Sequence, residues 1–167
     1  MAVRSHIVLH HSKTKDGLVV DAPAIFRFHT SYRHAGAIIS EAEFLRLRAL
    51  ATPGLEPPWR DVGYHALVER TERGVVAIMG RDWLEPAAAC PQGDMNQVGL
   101  HVCVVGDYDA QAPDAEVLEV LVRRVVGPWM RLFGIPAGRI VGHRTFNPGK
   151  SCPGARFDLE VVRRMVR

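Results

Sequence analysis

Three side chains with the donor atoms of a transition-metal site stand where the chain turns: His10, His143 and Cys152. His10 closes the apolar run Ile7-Val8-Leu9, and His143 follows Ile140-Val141-Gly142. Cys152 sits within Asn147-Pro148-Gly149-Lys150-Ser151-Cys152-Pro153-Gly154. Two imidazoles and a thiolate are a donor set used by catalytic zinc, where three protein ligands leave the fourth position to water. Proline and glycine on both sides of Cys152 turn the chain back toward His143, whereas His10, far upstream, must arrive through strand pairing. Each residue also has a structural reading: a histidine at a strand end is commonly a hydrogen-bonded scaffold residue, and a lone cysteine a small buried hydrophobe. Spacing leaves these readings open, together with a closed structural zinc site in which His11 supplies a fourth ligand.

The elements that would position this set follow from patterning. His6 to His11 reads as a short strand buried on both faces. Val62 to Glu69 and Gly74 to Met79 read as a strand pair joined by Arg70-Thr71-Glu72-Arg73, Val98 to Val105 as a fourth strand, and Arg139 to Gly142 as a fifth. Ser40 and Glu43 form a capping box ahead of Phe44, Leu45, Leu47 and Leu50. From Asp114, apolar residues recur at helical spacing as far as Leu132, with Pro128 expected to kink the helix and Gly134 to end it. A last helix starts near Asp158. Ala51 to Trp59 and Glu85 to Gln97 read as long irregular loops. Strands interleaved with helices predict one α/β domain over residues 1–167, with a central mixed β-sheet of about five strands flanked by helices.

Bulk properties narrow the function classes. The chain has 167 residues, 47% of them hydrophobic, enough to bury a substantial core. A formal charge of +3 comes with no finger spacing and no basic motif interleaved with aromatics, so nucleic acid is not the expected partner. Three cysteines are too few for a disulfide framework, and Cys90 and Cys103 read as core or loop thiols. Charges or glycines interrupt every apolar run, so no membrane insertion is expected. The amino-terminal residues show neither an apolar h-region nor a small-residue cleavage site, and cytoplasmic synthesis is the expectation.

Five ordered segments then converge. Val8-Leu9-His10-His11-Ser12, Asp61-Val62-Gly63-Tyr64-His65, Asn96 to Gly99 with Gly106-Asp107-Tyr108, Gly142-His143-Arg144, and Lys150-Ser151-Cys152-Pro153-Gly154 together resemble the type 2 N-acetylmuramoyl-L-alanine amidases, a family that includes phage lysozymes and the peptidoglycan recognition proteins. The resemblance spans roughly residues 6 to 160 and implies an amidase-type α/β fold. It implies Zn2+ held by His10, His143 and Cys152, with Tyr64 and Lys150 as catalytic residues and no ligand role for His11. It further implies hydrolysis of the amide between the muramic acid lactyl group and L-alanine of peptidoglycan, by an enzyme that reaches the wall after release or export, as phage lysins do; the sequence leaves the oligomeric state open, with a monomer as the expectation. The alternative within the resemblance is a module that binds peptidoglycan without cutting it. Ile38 to Trp59 is extra relative to the short phage enzymes, and Tyr32, His34 and Trp59 are candidates to touch glycan or peptide. His65 reads as structural, and His29, His34 and His101 as carrying no chemistry.

Overall fold

In this computed structural model, which describes residues 3–14 and 21–167, short β-branched runs and capped helices alternate along the chain. In chain order the elements are β1 (His6–His11), α1 (Ala22–His29), β2 (Arg33–His34), β3 (Ala37–Ile38), α2 (Glu41–Ala49), β4 (Leu55–Glu56), β5 (Ala66–Thr71) and β6 (Gly74–Met79). They continue with α3 (Met95–Val98), β7 (Gly99–Val104), α4 (Ala115–Val120), α5 (Gly127–Phe133), β8 (Ile140–Gly142) and α6 (Leu159–Met165). Five strands make one sheet in the order β6-β5-β7-β1-β8. Only β5 and β6 pair antiparallel; β5 with β7, β7 with β1, and β1 with β8 are parallel, so the sheet is mixed, as the sequence predicts.

β1 lies at the centre of the parallel part because Ile7, Val8 and Leu9 can be buried on both faces, and all three are fully buried. Ile7 and Leu9 join Leu100, Val102, Ile140, Leu121, Val125 and Trp129 in the main core on one side. On the other side Val8 packs with Cys90, Met95 and Val141, while Ala22 and Ile25 of α1 pack on Leu67, Cys103 and Val105.

Several boundaries differ from expectation, each for a local reason. The strand expected over Val62 to Glu69 begins at Ala66, because the Arg81 guanidinium takes the carbonyls of Asp61 and Val62 and holds that segment out of the ladder. Arg70 and Thr71 stay in β5, since Glu72-Arg73 with Gly74 at φ +106° suffices to turn the hairpin. Ahead of Pro128 the helix widens into a π-helical segment, Leu121–Val126, whose wider turn accommodates the missing proline donor. Ser40 caps α2 by accepting from the Glu43 amide at 3.2 Å, but the Glu43 carboxylate pairs with Arg46 instead of completing the box.

Two features were not anticipated. α1 is started by Asp21, whose side chain accepts from the Ala24 amide at 2.7 Å, with Pro23 in its first turn. Residues of the expected extra region, with Arg33, His34 and Ala37, form a small sheet in the order β3-β2-β4. Arg33 is buried between the rings of Phe28 and Trp59, 4.9 and 4.8 Å from their centroids, and pairs with Glu56. This clamp ties β2 and β4 to α1 and sets the position of Trp59.

Because β1 carries its load of packing on both faces, Leu9→Ala should lower unfolding free energy by about 2 to 5 kcal/mol, read as a reduced denaturant midpoint.

Candidate metal centre

Parallel pairing brings the carboxyl ends of β1, β7 and β8 to one edge of the sheet, where open α/β sheets commonly bind ligands. Leu9 is opposite Gly142 and His10 opposite Cys103, so the residues that follow, His10 on β1 and His143 just past β8, become neighbours across the strands. Their ring centroids are 5.0 Å apart. Cys152 enters from the loop after His143, and its Sγ lies 3.7 Å from His10 Nδ1. One ligand atom from each of His10, His143 and Cys152 lies within 4.8 Å of the other two. A tetrahedral ion with ordinary Zn–N and Zn–S bonds separates its ligand atoms by about 3.3 to 3.7 Å, so the His10–Cys152 spacing matches such a site, and the cluster as a whole lies within about 1 Å of that size. His143 Nε2 is buried and, among the described residues, has no hydrogen-bond partner, the condition of a nitrogen kept for a metal.

The cysteine loop is held from both sides. Arg144, next to His143, donates from its amide to the Cys152 carbonyl (2.9 Å) and from its guanidinium to the carbonyls of Ser151, Gly154 and Phe157. Asp109 accepts from Ser151 Oγ (2.7 Å) and the Ala155 amide (2.8 Å) and pairs with Lys13. The Ser151 and Ala155 hydrogen bonds hold the Asp109 carboxyl down to about 2. The loop can sit this close only because residue 142 is glycine: a Cβ there would lie 2.6 Å from Pro153 Cδ and 3.1 Å from the Cys152 carbonyl. Asp109 was missed by the sequence reading, although its place just after Gly106-Asp107-Tyr108 was a usable signal.

The remaining predicted residues separate by position. Tyr64 lies in the irregular segment before β5, its ring centroid 5.2 Å from that of His10. A cleft of about 780 Å³ is lined by His10, Tyr64, His143, Lys150, Cys152 and Trp59, among others. Lys150 is exposed at its rim. His11 turns away from the cluster, its Nδ1 accepting from the Tyr108 amide at 3.2 Å, so it closes no fourth position. Of the candidates for glycan or peptide contact, Trp59 lines the cleft, Tyr32 donates to Glu41 and packs on Phe44, and His34 lies in β2. His65 is fully buried and, like Tyr64, lies in the irregular segment before β5. His101, expected to carry no chemistry, touches His10: His10 Nε2 and His101 Nδ1 are 2.9 Å apart.

Burial dominates the electrostatics. It drives His10 well below its ordinary value, with the neighbouring imidazoles adding to the effect, so His10 presents a neutral ring. His143 is lowered by burial and then by the charge of Lys150. The Cys152 thiol is pushed up to about 11 by burial, and the Tyr64 phenol well above its ordinary range, again chiefly by burial. Neutral imidazoles ligate without losing a proton, whereas the thiol must release one, the electrostatic demand that a divalent cation satisfies.

With this geometry in place, the sequence comparison decides the family: the profile described as Amidase_2, N-acetylmuramoyl-L-alanine amidase, matches residues 2–155. The chain belongs to the Amidase_2 family. This Amidase_2 chain is similar in fold to N-acetylmuramoyl-L-alanine amidase LysC from Clostridium intestinale URNW, at 15% identity and TM-score 0.65 over 98% of this chain and 85% of that one. Wild-type PGRP-LB of Drosophila is similar at 17% identity and TM-score 0.61 over 93% and 78%. Peptidoglycan recognition protein-LE, solved with tracheal cytotoxin, a monomeric diaminopimelic acid-type peptidoglycan, is similar at 18% identity and TM-score 0.63 over 96% and 80%. At these identities the likeness is one of fold. No curated protein sequence matches significantly. No helix among the described residues of the Amidase_2 chain is long and apolar enough to cross a membrane.

Two outcomes follow from this geometry. In metal-free protein, Gly142→Ala should displace the Pro153 ring and raise the alkylation rate of Cys152 by roughly tenfold, about 1.4 kcal/mol of lost protection, read by peptide mass spectrometry against buried Cys90 and Cys103. Burial lowers His65 to about 3. The unfolded chain therefore takes up that proton first, and the stability His65 contributes is complete above about pH 6.5 and declines as pH falls toward 3. Urea midpoints of metal-free protein should drop from pH 7 to pH 5, His65 accounting for up to about 1.4 kcal/mol per pH unit, and His65→Asn should flatten that slope.

Proposed function

We propose that this chain is a zinc-dependent N-acetylmuramoyl-L-alanine amidase that hydrolyses the amide joining the muramic acid lactyl group to L-alanine of peptidoglycan. The observation that carries the proposal is the convergence of His10, His143 and Cys152 in the lining of one cleft, with His10 Nδ1 3.7 Å from Cys152 Sγ and His143 Nε2 buried and, among the described residues, without a hydrogen-bond partner. Three ligands facing open space are the arrangement of a catalytic site, since a structural one is closed by a fourth protein ligand. Family membership and the amidase and recognition-protein folds supply the substrate class.

His10, His143 and Cys152 would hold the zinc ion, which would supply Lewis acidity to a carbonyl and a more acidic water as nucleophile. The chain's own residues do the rest. Tyr64 keeps its proton, since burial holds the phenol well above its ordinary range, so its role is to donate a hydrogen bond to the oxygen on which charge collects. Lys150, at the rim, adds positive potential on the same side, an effect already visible in the lowering of His143. Trp59 forms one wall of the cleft and offers an apolar face to a sugar or peptide methyl group.

Muropeptide digests analysed by mass spectrometry test the reading: new amino-terminal L-alanine and free lactyl carboxyl groups are expected with zinc, and none after chelation. Cys152→Ala should abolish release while retaining the fold, and Tyr64→Phe should lower kcat by about 10²- to 10³-fold with little change in KM. Wall sedimentation without any new termini would instead mark a binding module, and unchanged hydrolysis by Cys152→Ala would overturn the ligand assignment.

A further inference from the structure

We propose that His101 is a positioning residue that fixes the ring orientation and tautomer of His10, and thereby sets the affinity of the His10, His143, Cys152 cluster for its metal. The inference rests on the amidase reading only in taking His10 as a ligand.

The argument is one of hydrogen-bond accounting. His101 is fully buried, and its Nε2 lies 2.8 Å from the Met95 carbonyl. A carbonyl oxygen only accepts, so His101 Nε2 carries the hydrogen. A second proton on the same ring would bury a cation whose described hydrogen-bond partners include no carboxylate, a costly state. His101 Nδ1 is therefore a lone pair, and at 2.9 Å it accepts from His10 Nε2–H. His10 is left with an unprotonated Nδ1, the nitrogen that lies 3.7 Å from Cys152 Sγ. The tautomer that ligation at Nδ1 needs is thus dictated by a carbonyl on α3, two hydrogen bonds away.

Two further observations show that the relay is built into the fold. His65 locks the backbone of the relay residue: its Nδ1 accepts from the His101 amide at 2.9 Å, while its Nε2–H donates to the Glu85 carbonyl at 3.0 Å. Residue 99 is glycine, and a Cβ there would lie 2.7 Å from the Met95 carbonyl and 2.8 Å from His101 Nε2, so any side chain would break into that bond. Both features hold the Met95–His101–His10 hydrogen bonds in place. Outer-shell partners of metal-bound histidines orient the ring and raise its basicity.

The test separates His101 as a positioning residue from its part in the core. Asparagine at 101 keeps an acceptor near the Nδ1 position, whereas glutamine keeps a donor near the Nε2 position and loses that acceptor. His101→Gln should bind zinc about 10- to 100-fold more weakly in chelator competition, and His101→Asn should stay within about threefold of the parent chain. Long-range ¹H–¹⁵N spectra of the metal-free parent should show His10 with its hydrogen on Nε2, and His101→Gln should show a mixture. A metal-free parent with His10 protonated on Nδ1, or equal zinc affinity for the two variants when both are folded by circular dichroism, would overturn the proposal. A parent that shows the expected tautomer and binds zinc with the stated difference between the variants, yet releases no lactyl carboxyl groups from muropeptides, would overturn the amidase reading and leave the relay standing.

Discussion

Parallel pairing of β1 between β7 and β8 is the constraint on which the rest of the structure depends. Hydrogen bonds across those strands fix which residues end level with one another, and at this edge the residues that end level are His10 and His143. Neither imidazole could be brought to the other by its own loop. The price is a strand apolar on both faces, and the helices around Leu121 and Trp129 on one side, with α1 on the other, are there to cover what the sheet exposes. The third donor is supplied differently. Cys152 belongs to a loop without regular hydrogen bonding, so the guanidinium of Arg144 and the carboxylate of Asp109 do for it what the ladder does for the histidines.

How much of this was legible in the sequence depends on how local the determining forces are. β1 was readable to the residue, because a buried parallel strand announces itself as an unbroken apolar run. The cap of α2 was readable for the same reason, being settled between Ser40 and the Glu43 amide. Boundaries set by distant partners were not. Arg81 reaches back to Asp61 and Val62 to delay β5, and nothing in the intervening sequence states this. The small sheet of β2, β3 and β4 is two residues deep in each strand, too short for a period to show.

At the cluster, donor types and turn chemistry brought His10, His143 and Cys152 to attention, and the family resemblance added Tyr64 and Lys150. Sequence could not tell apart the eight histidines by environment, since burial is a property of the fold. His101 and His65 are accordingly unremarkable in the chain and tightly bonded in space. His11, the neighbour in sequence, is the one turned away.

Arg4, just before β1, is buried and spends its guanidinium on the carbonyls of Trp83, Glu85, Gln97 and Gly99. The Glu85 carbonyl among them is the one that His65 also binds, and Gln97 lies within, and Gly99 just after, the short helix α3 whose Met95 carbonyl anchors His101. The two ends of a single six-residue strand are therefore in mechanical communication by a route that leaves the strand altogether. Whatever disturbs the Arg4 guanidinium would be felt, through the Glu85 carbonyl it shares with the histidine chain, at the imidazole on the other end.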